Sequence, residues 1–253
     1  MTKIYRRRFK GKRKSFLFII FILLIGVIVA FNIADIISSM IIGKGSIFYN
    51  GNMYIPSKTF YAISCNSFSK KDDAILLAGD VASKGGAGYV YQSGDYYVLL
   101  SMYSSQVDAQ SVKEKLKEDK IDAKIININI PKLEIKFSDS DKNVSLLAEE
   151  FLKVFEFLYD LSVKYDSGGI SYEQCKVYLT TKIAELEFVK NLSPTTKEGL
   201  AVKNKSLKMV EILKNLTLVE KEGYLLNSSI KYAYFEIVFD YINLCKSICW
   251  FFD

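Results

Sequence analysis

The side chains that most often carry out chemistry in proteins are scarce in this sequence. None of its 253 residues is histidine, so the commonest general base and the commonest zinc ligand are both absent. The four cysteines form no CxxC pair, and no GxxxxGK phosphate loop is present. Adjacent acids such as Asp72 and Asp73 diverge by about 100° on a helix, so they cannot act together as an acid/base pair. We therefore predict a protein that is not an enzyme, with no catalytic residues, no metal site and no cofactor.

The side chains that could bind a ligand are tyrosines and small polar residues that alternate along short predicted strands. In YAISC, residues 61–65, alternation places Ile63 and Cys65 on the buried face. The same phase predicts an opposite face that carries Ala62, Ser64, Tyr89, Tyr91, Tyr97, Leu99, Lys124 and Ile126. Tyrosine rings suit stacking on sugar rings or on bases, and their hydroxyls suit hydrogen bonding. The alternative is that C-terminal helices simply pack on this face.

An internal repeat positions these strands. YAISCNSFSKKDDA at 61–74 aligns without a gap with YYVLLSMYSSQVDA at 96–109, an offset of 35 residues. Each copy is typical of a strand, a helix and a strand, and the first helix is predicted to be capped by Ser69 and to end at Gly85-Gly86. Two copies predict a βαββαβ unit, a four-stranded antiparallel sheet with both helices on one face and the other face bare.

The N-terminal region predicts a membrane anchor. Residues 1–15 form a tail in which Met1–Lys14 holds eight Lys and Arg and no acid, so the net charge of +6 belongs to this tail and the rest of the chain sums to −2. Residues 16–34, FLFIIFILLIGVIVAFNIA, carry no charge and would span roughly 28 Å as a helix. A secretory signal peptide is the competing interpretation, but no convincing small-x-small cleavage site follows. The positive-inside rule places the tail in the cytoplasm and the C-terminal region outside.

The remaining segments complete an α+β protein. Residues 35–58 read as a linker that could hold one strand, and 131–253 predict a bundle of about four helices, near 143–165, 171–191, 193–216 and 227–252. The last helix carries Lys231, Glu236, Asp240 and Lys246, which argues against a second membrane span.

Residues 59–130 resemble the SPOR domain, a two-repeat βαββαβ module of bacterial cell-division and sporulation proteins. The resemblance rests on Tyr61-Ala62-Ile63-Ser64-Cys65-Asn66-Ser67-Phe68, on Asp73-Ala74 and on its echo Asp108-Ala109. It implies binding of denuded peptidoglycan glycan strands on the open sheet face, and localisation to septa. By position, it assigns contacts to Ser64, where the family has glutamine, to Ser67 and to Tyr97.

Two functions follow as hypotheses. In the first, a bacterial single-pass membrane protein binds glycan strands outside the membrane through Ser64, Ser67, Tyr89, Tyr91, Tyr97, Leu99 and Ile126, and so gathers at division or sporulation septa. In the second, the protein is a scaffold: the helical bundle docks a cell-wall or division partner, and the SPOR-like domain has lost its glycan. Neither hypothesis includes a nucleic acid partner, because the basic charge is confined to the tail.

Overall fold

A computed structural model describes residues 47–49, 52–136, 141–220 and 223–249. The predicted cytoplasmic tail at 1–15 and the predicted transmembrane helix at 16–34 lie outside these residues. Within the described ranges, no helix combines the length and the apolar character needed to cross a bilayer.

The described chain contains seven strands and six α-helices. In chain order these are β1 (Ile47–Tyr49), β2 (Asn52–Ile55), β3 (Lys58–Phe68), α1 (Lys71–Ser83), β4 (Tyr89–Ser93), β5 (Asp95–Tyr103), α2 (Gln106–Glu118), β6 (Lys124–Ile130), β7 (Leu133–Lys136), α3 (Lys142–Asp166), α4 (Tyr172–Leu186), a 3₁₀ turn (Glu187–Asn191), α5 (Lys197–Thr217) and α6 (Tyr224–Cys249). The predicted α+β class, with a βαββαβ unit followed by four helices, is confirmed.

The two repeat copies form one antiparallel sheet with the strand order β4, β5, β3, β6. Helices α1 and α2 contact this sheet on one face, where Ala74, Ala78 and Val81 of α1 pack against Val98 of β5. The close approach of α1 to the start of β4 requires Gly88, because a Cβ there would lie 2.3 Å from the Ala78 carbonyl oxygen.

The two helix starts differ although they occupy equivalent places in the repeat. Helix α1 has Lys70 at its N-cap and no side-chain capping bond, so the predicted Ser69 cap is wrong. The equivalent position in the second copy is Ser105, whose hydroxyl accepts a hydrogen bond from the Asp108 backbone N–H. Only the second helix therefore has the side-chain cap that stabilises an N-terminus.

A second, three-stranded sheet is formed by strands that flank the βαββαβ unit in the sequence. Strand β2, from the predicted linker, pairs antiparallel with β1 and with β7, which follows the repeat, and Ile55 lies opposite Leu133. Apolar side chains of this sheet, Met53, Ile55, Leu133 and Ile135, are fully or almost fully buried. The chain therefore enters and leaves the βαββαβ unit through neighbouring strands.

The four C-terminal helices form because each one has an apolar stripe at helical spacing. In α3, Leu147, Phe151, Val154 and Leu158 are buried at this spacing. Helix α4 begins with a capping box in which Ser171 and Gln174 bond each other's backbone N–H groups. The start of α5 is held by Asp141, whose carboxylate accepts hydrogen bonds from the backbone N–H groups and hydroxyls of Thr195 and Thr196.

The helices pack directly on the sheet face that α1 and α2 leave free. The rings of Phe60 on β3 and Phe155 on α3 lie 4.4 Å apart between centroids. The Met102 backbone N–H of β5 donates to the phenol oxygen of Tyr234 on α6, at 3.2 Å. Residues of the sheet and of the bundle thus share one buried cluster. The expectation of a bare face is therefore wrong, and the alternative, that C-terminal helices pack on it, is what the structure has.

Candidate functional site

The sheet brings the predicted contact residues onto one face. In the pairing of β3 with β5, Ser64 lies opposite Leu99 and Ser67 lies opposite Tyr97. In the pairing of β4 with β5, Tyr91 lies opposite Tyr97. Tyr89 and Ile126 pack against the same cluster as Tyr91 and Tyr97. Alternation along the strands therefore predicted this face correctly for Ser64 and the tyrosines, whereas Ser67, three residues after Ser64, lies on it because the register of β3 with β5 shifts between Ser64 and Asn66. Binding of a ligand by these residues stays a prediction.

Helix α6 covers the β4 side of this face with aromatic rings. The Tyr89 ring stacks against Phe235 and Phe239, with centroid distances of 5.4 and 5.2 Å, and Tyr91 stacks against Phe239 at 5.0 Å. Tyr232 contacts Tyr89 at 5.1 Å. Burial raises the pKa of Tyr89 to about 12. Tyr89 and Tyr91 are consequently half-buried, and much of each ring is unavailable to a ligand while α6 is in place.

Two of the predicted residues lie fully beneath the bundle. Ser64 is 1% exposed and Leu99 is 0% exposed. The Ser64 hydroxyl donates to the Asn66 carbonyl oxygen at 2.8 Å, across an irregularity in the pairing of β3 with β5. The side chain at the position of the family's glutamine is thus occupied within its own strand, and a ligand cannot reach it in this arrangement.

The end of the face nearest the β3–α1 turn is less covered, and we call Ser67, Tyr97 and Lys124 the open corner. Ser67 and Tyr97 are cross-strand partners and each is partly exposed, while Lys124 on β6 is exposed. The Ser67 backbone N–H donates to Asn66 Oδ1 at 3.0 Å, so this N–H is satisfied by the preceding side chain. An aromatic ring and a hydroxyl therefore lie side by side at this end of the sheet, and a cation lies on the second strand from Tyr97, opposite Ser64.

A cleft of about 930 Å³ lies at the other side of β4, between α1 and the helices α5 and α6. On the side of α1 and β4 it is lined by small residues that include Ala78, Gly79 and Gly88. Its other lining residues include Tyr89, Lys208, Glu211, Asn215, Ser229, Tyr232 and Glu236. Sequence analysis missed this cleft because its walls come from segments more than 100 residues apart, and no local pattern indicates that they meet.

An ion-pair cluster stabilises the α5–α6 wall of the cleft. Lys208 Nζ lies 3.1 Å from a Glu236 carboxylate oxygen and 2.7 Å from Asp240 Oδ2, and Lys205 Nζ lies 2.7 Å from Asp240 Oδ1. The hydrogen bond to Asp240 raises the pKa of Lys208 above its usual value. The wall thus presents fixed charges of both signs beside Tyr89 and Tyr232.

Reactive constellations are missing from the described part of the chain. No group of three or more His, Cys, Asp or Glu residues is arranged there to hold a metal ion. Cys65 and Cys175 are not in disulfides, and burial raises the pKa of Cys175 to about 11, so its reactive thiolate is disfavoured. The arrangement suits binding through aromatic rings and hydrogen bonds.

Comparison with known proteins identifies the sheet unit. The family model of the SPOR domain matches residues 57–127; SPOR is a peptidoglycan-binding, non-catalytic domain. Among solved structures, the chain is similar to the solution structure of the peptidoglycan binding domain of the B. subtilis cell wall lytic enzyme CwlC, at 26% identity over 28% of this chain and 91% of that chain, with a TM-score of 0.25. No curated protein matches the chain.

Proposed function

We propose that this chain, which carries a SPOR domain at residues 57–127, binds denuded glycan strands of peptidoglycan from a position anchored in the bacterial cell membrane. The observation that carries the proposal is the SPOR match on a βαββαβ sheet in which the predicted contact residues share one face. The helices α3 to α6 then serve as a second module fused to that sheet.

The geometry favours the open corner as the first contact for glycan. Ser67 and Tyr97 are among the residues assigned by the family resemblance, and they are the ones that the bundle leaves partly exposed. A Tyr97 ring can stack on a pyranose ring, and the Lys124 ammonium suits the lactyl carboxylate that becomes free when a stem peptide is removed. Selectivity for denuded strands would follow from this charge pairing.

The test is a sedimentation assay with the purified full-length chain and cell-wall sacculi, before and after an amidase removes their stem peptides. We expect enrichment on the stripped sacculi, and about tenfold weaker binding for Tyr97→Ala because one stacking platform is lost. Tyr178→Ala is the matched control, since Tyr178 lies on α4 and is 48% exposed. Equal sedimentation of the native protein with intact and stripped sacculi, or with neither, would refute the proposal.

Anchoring and septal localisation are part of the same proposal. Residues 16–34 form the anchor, the tail at 1–15 stays in the cytoplasm, and the SPOR domain and the helices lie outside. A reporter enzyme active only outside the membrane should work when fused after Asp253, and a fluorescent fusion should gather at division or sporulation septa. A fusion that is active only in the cytoplasm would exclude this topology.

A scaffold is the second candidate, and the burial of Ser64, Leu99 and much of Tyr89 and Tyr91 specifically favours it. In that case the SPOR domain would act as the base on which the helices are assembled, and the bundle would dock a cell-wall or division partner. A natively folded protein that does not sediment with stripped sacculi would favour the scaffold.

A further inference from the structure

We propose that the cleft between α1, α5 and α6 is a second glycan subsite, occupied by the same polymer that contacts the open corner. This inference rests on the proposed function and goes beyond it, because the cleft walls include helices that lie outside the SPOR domain. Its volume of about 930 Å³ lies within the range of roughly 300–1,000 Å³ that is usual for ligand sites.

The aromatic residues of the cleft provide the stacking surface. Tyr232 is 44% exposed although its ring contacts Tyr89 at 5.1 Å between centroids. Each ring therefore packs on the other and still presents part of its surface to the cleft. Sugar rings bind to such partly exposed aromatic rings because their C–H groups are apolar while their hydroxyls need hydrogen bonds at the ring edge.

The polar residues of the walls match the remaining needs of an N-acetylated sugar. Glu211 and Glu236 can accept hydrogen bonds, the Asn215 amide can donate and accept, and Ser229 provides a hydroxyl. The bond of Lys208 to Glu236 fixes one of these carboxylates in place, at 3.1 Å. Donors and acceptors are interspersed with apolar surface, which suits the uncharged N-acetylglucosamine units of the strand, while its free lactyl carboxylates suit Lys124 at the open corner. A purely apolar groove would favour a helix or a lipid.

A row of tyrosines connects the cleft with the open corner. Tyr97 is the cross-strand partner of Tyr91, Tyr91 follows Tyr89 by two residues on the same face of β4, and Tyr89 contacts Tyr232. Tyr91 is only half-buried under Phe239, so the row is accessible in part along its length. A polymer is the ligand that can occupy both ends at once, and simultaneous contact strengthens binding without any change at either site.

Two variants test the cleft without relying on one substitution. Tyr232→Ala removes the stacking platform, and Gly79→Trp fills the cleft from the α1 side, where a Cβ would meet no atom within 4 Å. Tyr178→Ala is the control outside the cleft. Sedimentation with stripped sacculi is measured for each full-length variant, together with its urea unfolding midpoint.

The expected result is about tenfold weaker binding for Tyr232→Ala and for Gly79→Trp, with Tyr178→Ala unchanged and all unfolding midpoints close to the native one. The inference would be overturned, while the proposed function stands, if Gly79→Trp bound stripped sacculi as strongly as the native protein. It would also be overturned if binding fell only in variants whose urea unfolding midpoint also fell. Absence of binding by the native protein would overturn both.

Discussion

Removal of the phenol oxygen of Tyr234 should show how much its hydrogen bond between α6 and the sheet contributes to the free energy of unfolding. Tyr234 is 1% exposed, and its oxygen accepts the Met102 backbone N–H at 3.2 Å. Tyr234→Phe keeps the ring and its edge-on contact with Phe155, at 5.5 Å between centroids, but leaves the buried N–H without this acceptor. An unsatisfied buried donor costs about 1–3 kcal/mol, so we expect the free energy of unfolding to fall by about 2 kcal/mol.

The assay is equilibrium unfolding in urea, followed by circular dichroism, with a thermal scan alongside. For a unit of this size, 1 kcal/mol corresponds to a Tm shift of about 2–4 °C, so Tyr234→Phe should melt about 4–8 °C lower. Hydrogen exchange gives a local measurement, since the Met102 amide should exchange faster in the variant. Tyr232→Phe, two residues along the same helix and 44% exposed at this position, is the matched control and should change stability by less than about 0.5 kcal/mol.

The reasoning would be refuted by a Tyr234→Phe protein as stable as the native one with unchanged exchange at Met102. It would also fail if Tyr232→Phe cost as much as Tyr234→Phe, because the loss would then not depend on the buried hydrogen bond.

Three further substitutions probe the fold. Phe60→Ala, at the contact between β3 and α3, should lower the free energy of unfolding by about 3–5 kcal/mol in urea, because the Phe60 ring is fully buried. Burial alone would raise the pKa of Asp141, but hydrogen bonds from the threonines before α5 outweigh it and lower the pKa below 3.8. The carboxylate therefore stabilises the fold above that pH, and this stabilisation is lost as the pH falls through the folded pKa. Below about pH 4, the unfolding free energy of Asp141→Asn should consequently depend less on pH than that of the native protein. Gly88→Ala should cost about 2 kcal/mol or more, because φ is +61° and the new Cβ would meet a carbonyl oxygen at 2.3 Å, whereas the control Gly94→Ala, with φ +75° and no atom within 4 Å, should cost only about 1 kcal/mol.

The βαββαβ unit could be predicted because the repeat has a constant offset and each copy carries its own local signals. Alternation from Ile63 and Cys65 placed the tyrosines on the correct face, since a strand has a strict period of two. The four helices were predicted for a similar reason: α3 to α6 each carry a continuous apolar stripe.

The packing of the C-terminal helices on that face of the sheet could not be predicted in the same way. Tyr89 and Tyr91 suit an exposed ligand face and a buried helix contact equally well, because tyrosine combines an apolar ring with a polar hydroxyl. Local pattern also gives no signal for the pairing of β2 with β7, because both strands are only four residues long and Ile55 lies opposite a residue 78 positions later. Both the helix packing on the sheet face and the pairing of β2 with β7 depend on contacts between residues far apart in the sequence.

The pairing of β2 with β7 also determines how a mechanical load would pass through the protein. The SPOR domain is inserted between these strands, and its two ends leave side by side at Ile55 and Leu133. Tension applied from the N-terminal side therefore reaches α3 through the backbone hydrogen bonds of β2 and β7, so the path bypasses the βαββαβ sheet. A load applied between Asn52 and Lys136 is therefore carried by the four cross-strand pairs of β2 and β7, and the βαββαβ sheet is not stretched while these pairs hold.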